Sequence, residues 1–187
     1  MNRQPNEYTP ITRAQTIELE KEASPEEAER VKPEVLAFIQ GRGAPFFAFL
    51  TTLRKDGRPH CRPVSTFVEG WTVGTISQDL HLKNRHIRNN PIVGYLWVEQ
   101  CPPPGVRPKN VWMQGICEII DDPAEIADFY RRREAALGRG DPHADEEWNR
   151  LLLRTRPQFV RAEGFLGRLK PAIYRTFDEG MSGSSSP

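Results

Sequence analysis

An antiparallel β-barrel with added helices, of the α+β kind, is the fold class this sequence predicts. Short runs rich in valine, threonine, phenylalanine and tryptophan recur between Phe46 and Ile120. Tight turns join them, and Lys55-Asp56-Gly57 is the clearest hairpin signal. Apart from one short helical stretch, the helical patterns come before or after this block. That order argues for an antiparallel sheet curled into a small barrel, not for alternating parallel units.

Taken in order, Ser24-Pro25-Glu26-Glu27 starts a first helix: Ser24 caps, Pro25 suits the first helical position and Glu27 completes a capping box. Val35, Leu36, Phe38 and Ile39 supply its apolar stripe, and Pro33 is expected to interrupt or restart it. Phe46 to Leu53 reads as the first strand. Pro59 to Val68 reads as the second, at an edge or with a bulge, because Pro59 and Pro63 each lack a ladder donor. Glu69-Gly70 turns into a third strand, Trp71 to Ser77, whose Gly74 marks a bulge or a close approach of a ligand.

A short helix over Leu80–Arg88 follows, with Asp79 as its expected cap and Asn89-Asn90-Pro91 as its exit. Ile92–Val98 and Asn110–Ile120 read as the fourth and fifth strands, the latter interrupted by Gly115. Asp121-Asp122-Pro123 opens a helix over Ala124–Leu137. A further helix is expected over Asp145–Arg154 and a last strand over Ala172–Phe177.

At 187 residues the chain fits one domain with a full core. The formal net charge is only +1, so there is no broad basic footprint for nucleic acid. Any anion recognised here must be small and met locally. No apolar run approaches membrane-spanning length, and the polar first residues do not form a signal peptide. Cys61, Cys101 and Cys117 are odd in number and widely spaced, which suits a reducing cytoplasm better than a disulfide framework. His60, His81, His86 and His143 show no zinc-type spacing with these cysteines, so no metal is expected.

The groups with chemical potential lie between residues 60 and 88. By the strand period of two, His60, Arg62, Val64 and Thr66 share one face of the second strand. A guanidinium in mid-strand needs an anionic partner: either a ligand, or a carboxylate such as Glu118 on another strand. Thr75 and Ser77 present hydroxyls on one face of the third strand, and Lys83, Arg85 and Arg88 crowd the short helix. Each has an ordinary reading as strand, cap or solvated basic face. Together, two cations and two hydroxyls on consecutive elements can hold a dianionic phosphate. Trp71, Trp97, Trp112 and Phe67 could flank a flat ring or simply fill the core. No nucleophilic triad, paired-carboxylate motif, Walker pattern or dinucleotide fingerprint is visible. Bond chemistry would therefore fall to a cofactor.

The stretch from Phe46 to Pro123 resembles the flavin-binding split-barrel proteins of the pyridoxamine 5′-phosphate oxidase-like family. Thr52 through His60 resembles the family's opening hairpin, and Arg62-Pro63-Val64-Ser65-Thr66 its arginine-bearing strand. Lys83 with Asn89-Asn90-Pro91 is similar to its lysine and helix exit. Lys109-Asn110-Val111 resembles the strand whose polar residue meets the cofactor. The resemblance implies a six-stranded split barrel and a homodimer with FMN at its interface. It implies phosphate contacts from Arg62, Thr75 and Lys83, backbone of Val64 and Ser65 against the flavin ring, and a polar contact from Asn110.

Some positions depart from the true oxidases. Phe67 stands where they carry a lysine for the substrate phosphate, and Leu82 where the family has an arginine before its lysine. Arg168-Leu169-Lys170 only echoes the C-terminal signature. Pyridoxamine phosphate oxidation is not expected. The expected organisation is a flexible arm over 1–23, one split-barrel domain over 24–180 with an N-terminal helix and a C-terminal helical insertion, and a flexible tail over 181–187. The expected function is an FMN-dependent oxidoreductase acting on a small organic molecule in the cytoplasm. Arg62, Val64, Ser65, Thr75, Ser77, Lys83 and Asn110 hold the cofactor, no catalytic acid or base is assigned, and His60 and Tyr95 are the nearest proton donors. A deazaflavin reductase, with Arg85 and Arg88 meeting a longer tail, and a non-catalytic flavin- or haem-binding protein are the alternatives.

Overall fold

The computed structural model describes residues 21–41, 47–138, 149–166 and 170–177. The expected arm up to residue 20, the tail, His143, the start of the predicted 145–154 helix and the Arg168-Leu169 echo lie outside the described residues. Eight strands and three helices follow one another as α1 (Pro25–Ile39), β1 (Phe47–Leu53), β2 (Pro59–Ser65), β3 (Phe67–Glu69), β4 (Thr72–Gln78), α2 (Leu82–Asn89), β5 (Ile92–Val98), β6 (Asn110–Ile120), α3 (Pro123–Leu137), β7 (Arg150–Glu163) and β8 (Ala172–Tyr174). Six strands have seven or more residues; β3 and β8 have three each. The six-stranded expectation thus meets the six long strands and omits the two short ones.

All pairings are antiparallel, in the order β2-β1-β5-β6-β7-β4-β3, with β8 also on β7. The two ends of this order, β2 and β3, are separated in sequence by Thr66 alone. The sheet must therefore curl until its edges meet at that residue, and Thr75 Oγ1 donates to Ser65 O across the seam at 3.0 Å. The predicted single strand Pro59–Val68 is split there: one half pairs with β1, the other with β4. As an edge strand, β2 accommodates Pro59 and Pro63.

Two further expectations are corrected. Pro33 does not interrupt α1, because it sits on the exposed side, where water can satisfy the carbonyl it leaves free. Residues 150–154, predicted helical, open the longest strand of the sheet. Leu151, Leu152 and Leu153 are all buried because the strand is covered on both faces: Leu153 joins the main core and Leu152 packs with Phe129 and Ile126 of α3. A strand covered on both faces loses its alternation and reads like a buried helix. Gly115 sits where the β6–β7 register slips, stepping over Gln158. A Cβ at Gly115 would lie 2.4 Å from Arg156 O, so only glycine fits.

The capping box of α1 is present, with Ser24 N donating to Glu27 Oε2 at 2.9 Å and Glu27 N to Ser24 Oγ at 3.3 Å. Its buried face, Ala28, Val31, Val35, Phe38 and Ile39, joins the barrel core. On the other side, α3 covers β4 so closely that a Cβ on Gly74 would lie 2.1 Å from the Phe129 ring. The close approach expected at Gly74 is thus the protein's own phenylalanine, not a ligand. Among the described residues no helix is long and apolar enough to cross a membrane.

Candidate functional site

The strand β2 alternates as its sequence requires. Cys61, Pro63 and Ser65 are exposed, while His60, Arg62 and Val64 turn toward the side occupied by Thr52, Leu50 and Ala48 of β1. The helix α2 lies against this same region. Its buried residues are Lys83, Asn84, His86 and Ile87, at the three- and four-residue spacing of one helical face.

Asn84 anchors the helix. It is fully buried, donates from Nδ2 to Gln78 O at 2.5 Å and to Asp79 O at 3.3 Å, and accepts from Ser77 Oγ at 2.9 Å. The cap is His81, not Asp79 as expected. Asp79 instead turns outward to pair with Arg88 at 2.5 Å. The turn over 79–81 carries the helix start past it, to Leu82.

This anchoring brings the cations together. Arg62 Nη2 lies 2.6 Å from His60 Nδ1, and Lys83 Nζ lies 3.2 Å from His81 Nδ1, which also lies 3.2 Å from Ser77 Oγ. The His60 and His86 rings stand 5.7 Å apart, and His86 Nδ1 lies 2.9 Å from Thr52 Oγ1.

The electrostatics are one-sided. Burial, then the nearby Arg62, lowers the Lys83 ammonium to a pKa of about 8. His81 is pushed down by burial, then by Lys83 and Arg62. His86 is pushed down by burial, then by Arg62, His60, Arg54 and Arg85. No carboxylate contributes to any of these shifts. Among the described residues neither Arg62 nor Lys83 pairs with an acid, although Lys83 is only 6% exposed. The alternative partner for Arg62 is already taken: Glu118 faces Arg154 at 3.9 Å. Arg62 Nε is buried without any hydrogen-bond partner. A half-buried guanidinium whose Nε is buried, and a buried ammonium, both without a carboxylate partner among the described residues, are what a bound dianion would complete. The residues present fit a phosphate.

The other expected site residues divide. Ser77 belongs to the cluster through His81 and Asn84. Thr75 lies two residues earlier on the same strand face, buried, its hydroxyl donating to Ser65 O. Val64 is buried beside Arg62's face. The Ser65 backbone, the part expected to meet the ring, lies beside Thr75, whose hydroxyl it accepts, while the Ser65 side chain and Asn110 lie on the opposite face from Arg62, Ser65 paired with Phe47 and Asn110 with Val98 and Glu163. Asn110 Nδ2 donates to Glu163 Oε2 at 3.4 Å.

Tyr95 is fully buried, and burial holds its phenol protonated well above the usual range, so it is a core residue. Trp71, Trp97 and Phe67 are core as well, Phe67 packing 5.6 Å from Phe129. Trp112 is exposed. Sequence reasoning passed over Asn84 and the buried His86, whereas His81 is exposed. The helical spacing of Lys83 with His86 and Ile87 was the signal available.

A curled antiparallel barrel with a short helix closing cations over an edge strand is a split-barrel architecture. A family model described as pyridoxamine 5′-phosphate oxidase matches residues 31–162, more than half of the chain, and the chain belongs to this family. A search of curated proteins finds no match. Among solved structures, an F420 reductase is similar at 20% identity and a TM-score of 0.52, covering 66% of this chain and 93% of its own. The general stress protein 26 of Bacillus anthracis str. Sterne is 21% identical with a TM-score of 0.55, covering 79% and 99%. The heme storage protein HutZ of Vibrio cholerae is 16% identical with a TM-score of 0.56, covering 68% and 89%. At these identities the likeness is one of fold.

Proposed function

We propose that the protein binds FMN, with Arg62 and Lys83 holding its phosphate, and serves as an oxidoreductase for a small organic substrate. The observation that supports this most is a buried ammonium beside a half-buried guanidinium, neither paired with a carboxylate among the described residues, the guanidinium with an orphaned Nε. When bound, the flavin supplies two-electron redox chemistry. The chain's own part is to neutralise the phosphate with Arg62 and Lys83, to hold α2 in place through Ser77 and Asn84, and to keep water from the site.

The reading includes a homodimer. Phe49, Leu96 and Trp112 form an apolar row across β1, β5 and β6 on the outer face. Phe159 adds its ring 5.5 Å from Trp112, and Phe47 lies 6.1 Å from Phe49. Phe49 and Trp112 are each 38% exposed, and Ile92 and Ile116 extend the band at 41% and 37%. A second copy laid on this band would bury it and would meet Ser65 and Asn110 at its margin. That placement reconciles the two groups of expected contacts: the phosphate cluster within one chain, and Ser65 and Asn110 on the face where the second chain docks.

A second reading, a deazaflavin in place of FMN, draws on one observation: Arg85 is exposed beside His86 and, among the described residues, forms no ion pair, so it could meet an anionic tail. Arg88, the other residue expected there, is engaged by Asp79. The visible spectrum of purified protein, followed by titration with FMN, the deazaflavin and haem, separates the readings. Tight FMN binding with clear preference over riboflavin supports the first. Tighter deazaflavin binding replaces it with the second, and haem binding without flavin binding overturns both.

A further inference from the structure

The cation cluster contains a device that neither a phosphate site nor a barrel wall requires. Arg62 is a permanent cation and can only donate, so the His60 Nδ1 that lies 2.6 Å from its Nη2 must be an acceptor. His60 is thereby a neutral imidazole with its proton on Nε2. Its ring is backed by His86, 5.7 Å away and tilted by 59°. His86 is itself 4% exposed and tied to the fully buried Thr52 at 2.9 Å. Thr52 belongs to β1, His60 and Arg62 to β2, and His86 to α2, so three elements fix one guanidinium. Arg62 Nε, by contrast, is left buried and unengaged.

We infer that His60 is a positioning residue for the anion site: it accepts one Arg62 N–H and so presents the remaining guanidinium donors, Nε among them, to the ligand phosphate. The inference rests on the phosphate reading given above. His60 does not touch the ligand in this role; it acts through Arg62. The ordering of a long, rotamer-rich side chain before binding lowers the entropy lost when the anion arrives. The groups facing His60 are Arg62 on its own strand, Thr52 on β1 and His86 on α2.

The test is the phosphate preference of the full-length protein, read as the Kd for riboflavin divided by the Kd for FMN, at pH 7.5. His60→Leu removes the acceptor, and His60→Gln restores one through its amide oxygen. The expected result is a preference reduced at least tenfold in His60→Leu and held within about threefold of wild type in His60→Gln. A merely structural role would weaken riboflavin and FMN alike and leave the ratio unmoved. An unchanged ratio in His60→Leu overturns the inference while leaving the phosphate site standing, and so does a loss in His60→Gln equal to that in His60→Leu. Absence of any preference in the wild-type protein overturns the phosphate reading itself. Should His60→Leu fail to fold, imidazole nitrogen-15 shifts of the wild-type protein decide: an unprotonated Nδ1 is expected, and a proton on Nδ1 overturns the inference.

Discussion

Arg62 and Arg154 are both arginines inside strands, and their surroundings are opposites. Arg154 of β7 is answered by Glu125 of α3 at 2.5 Å and by Glu118 of β6 at 3.9 Å. Nearby, Arg132 of α3 pairs with Glu69 and with Asp128. On that side of the barrel the ion pairs and the Phe129–Gly74 contact hold a helix to a sheet, and the charges are balanced within the chain. Under α2, Arg62 meets a histidine and Lys83 meets a histidine, and among the described residues neither pairs with an acid. The lesson is that the same residue type in the same secondary structure marks a brace or a binding site according to whether the chain itself supplies the counterion. A buried ammonium and a half-buried guanidinium without counterions cost the folded protein stability, and the cost is consistent with a ligand that removes it.

The sharpest way to break the contrast is at Arg62. Arg62→Ala is expected to weaken FMN binding by about a hundredfold, equivalent to ~3 kcal/mol for a desolvated charge-assisted contact, with riboflavin binding changed far less. The fold should tolerate the loss, since no carboxylate is left unpaired. Flavin fluorescence titrations on the variant check both halves, and undiminished FMN affinity would place the phosphate elsewhere.

Lys83→Met should weaken FMN about tenfold and flatten the salt dependence of binding, because one phosphate contact has gone. It also carries a pH signature. In the folded protein Lys83 loses its proton near pH 8, whereas the unfolded chain holds it up to about 10.5. Between these values the unfolded state binds more protons, so this group makes stability rise with pH; below about 8 its buried charge is a standing penalty. The contact of the ammonium with His81 Nδ1 at 3.2 Å offsets part of the desolvation, so the penalty is about 1 kcal/mol rather than the full shift. The ligand-free variant should therefore be more stable than wild type at pH 7, and that advantage should fade by pH 10. Urea midpoints at the two pH values measure it.

The smallest effect belongs to the balanced side. Arg154→Ala should cost up to about 1 kcal/mol of stability, the size of a partly exposed ion pair, and leave FMN affinity within error of wild type. A thermal melt and one titration suffice. If Arg154→Ala weakened FMN as Arg62→Ala does, the two arginines would not have separate roles.

Much of this was legible from residue order. The capping box at Ser24 and Glu27, the hairpin at Asp56-Gly57, the β5 and β6 limits and the inward face of His60, Arg62 and Val64 all follow from local rules that neighbours in sequence obey. The β7 strand did not follow, because Leu151, Leu152 and Leu153 are covered from two sides by partners distant in sequence. Nor did the cap of α2, where the loop carries the helix start beyond Asp79.

By itself, then, the sequence determined which residues carry charge, where strands and turns begin, and which side chains share a face, since backbone geometry within a few residues sets these. Only the tertiary structure decided which charges are answered. Glu118 went to Arg154 and left Arg62 to His60 because the sheet closes through Thr66, bringing β2 and β3 to opposite edges with α2 packed against β1 and β6. Electrostatic pairing depends on distances between segments far apart in the chain, and those distances exist only once the barrel has curled.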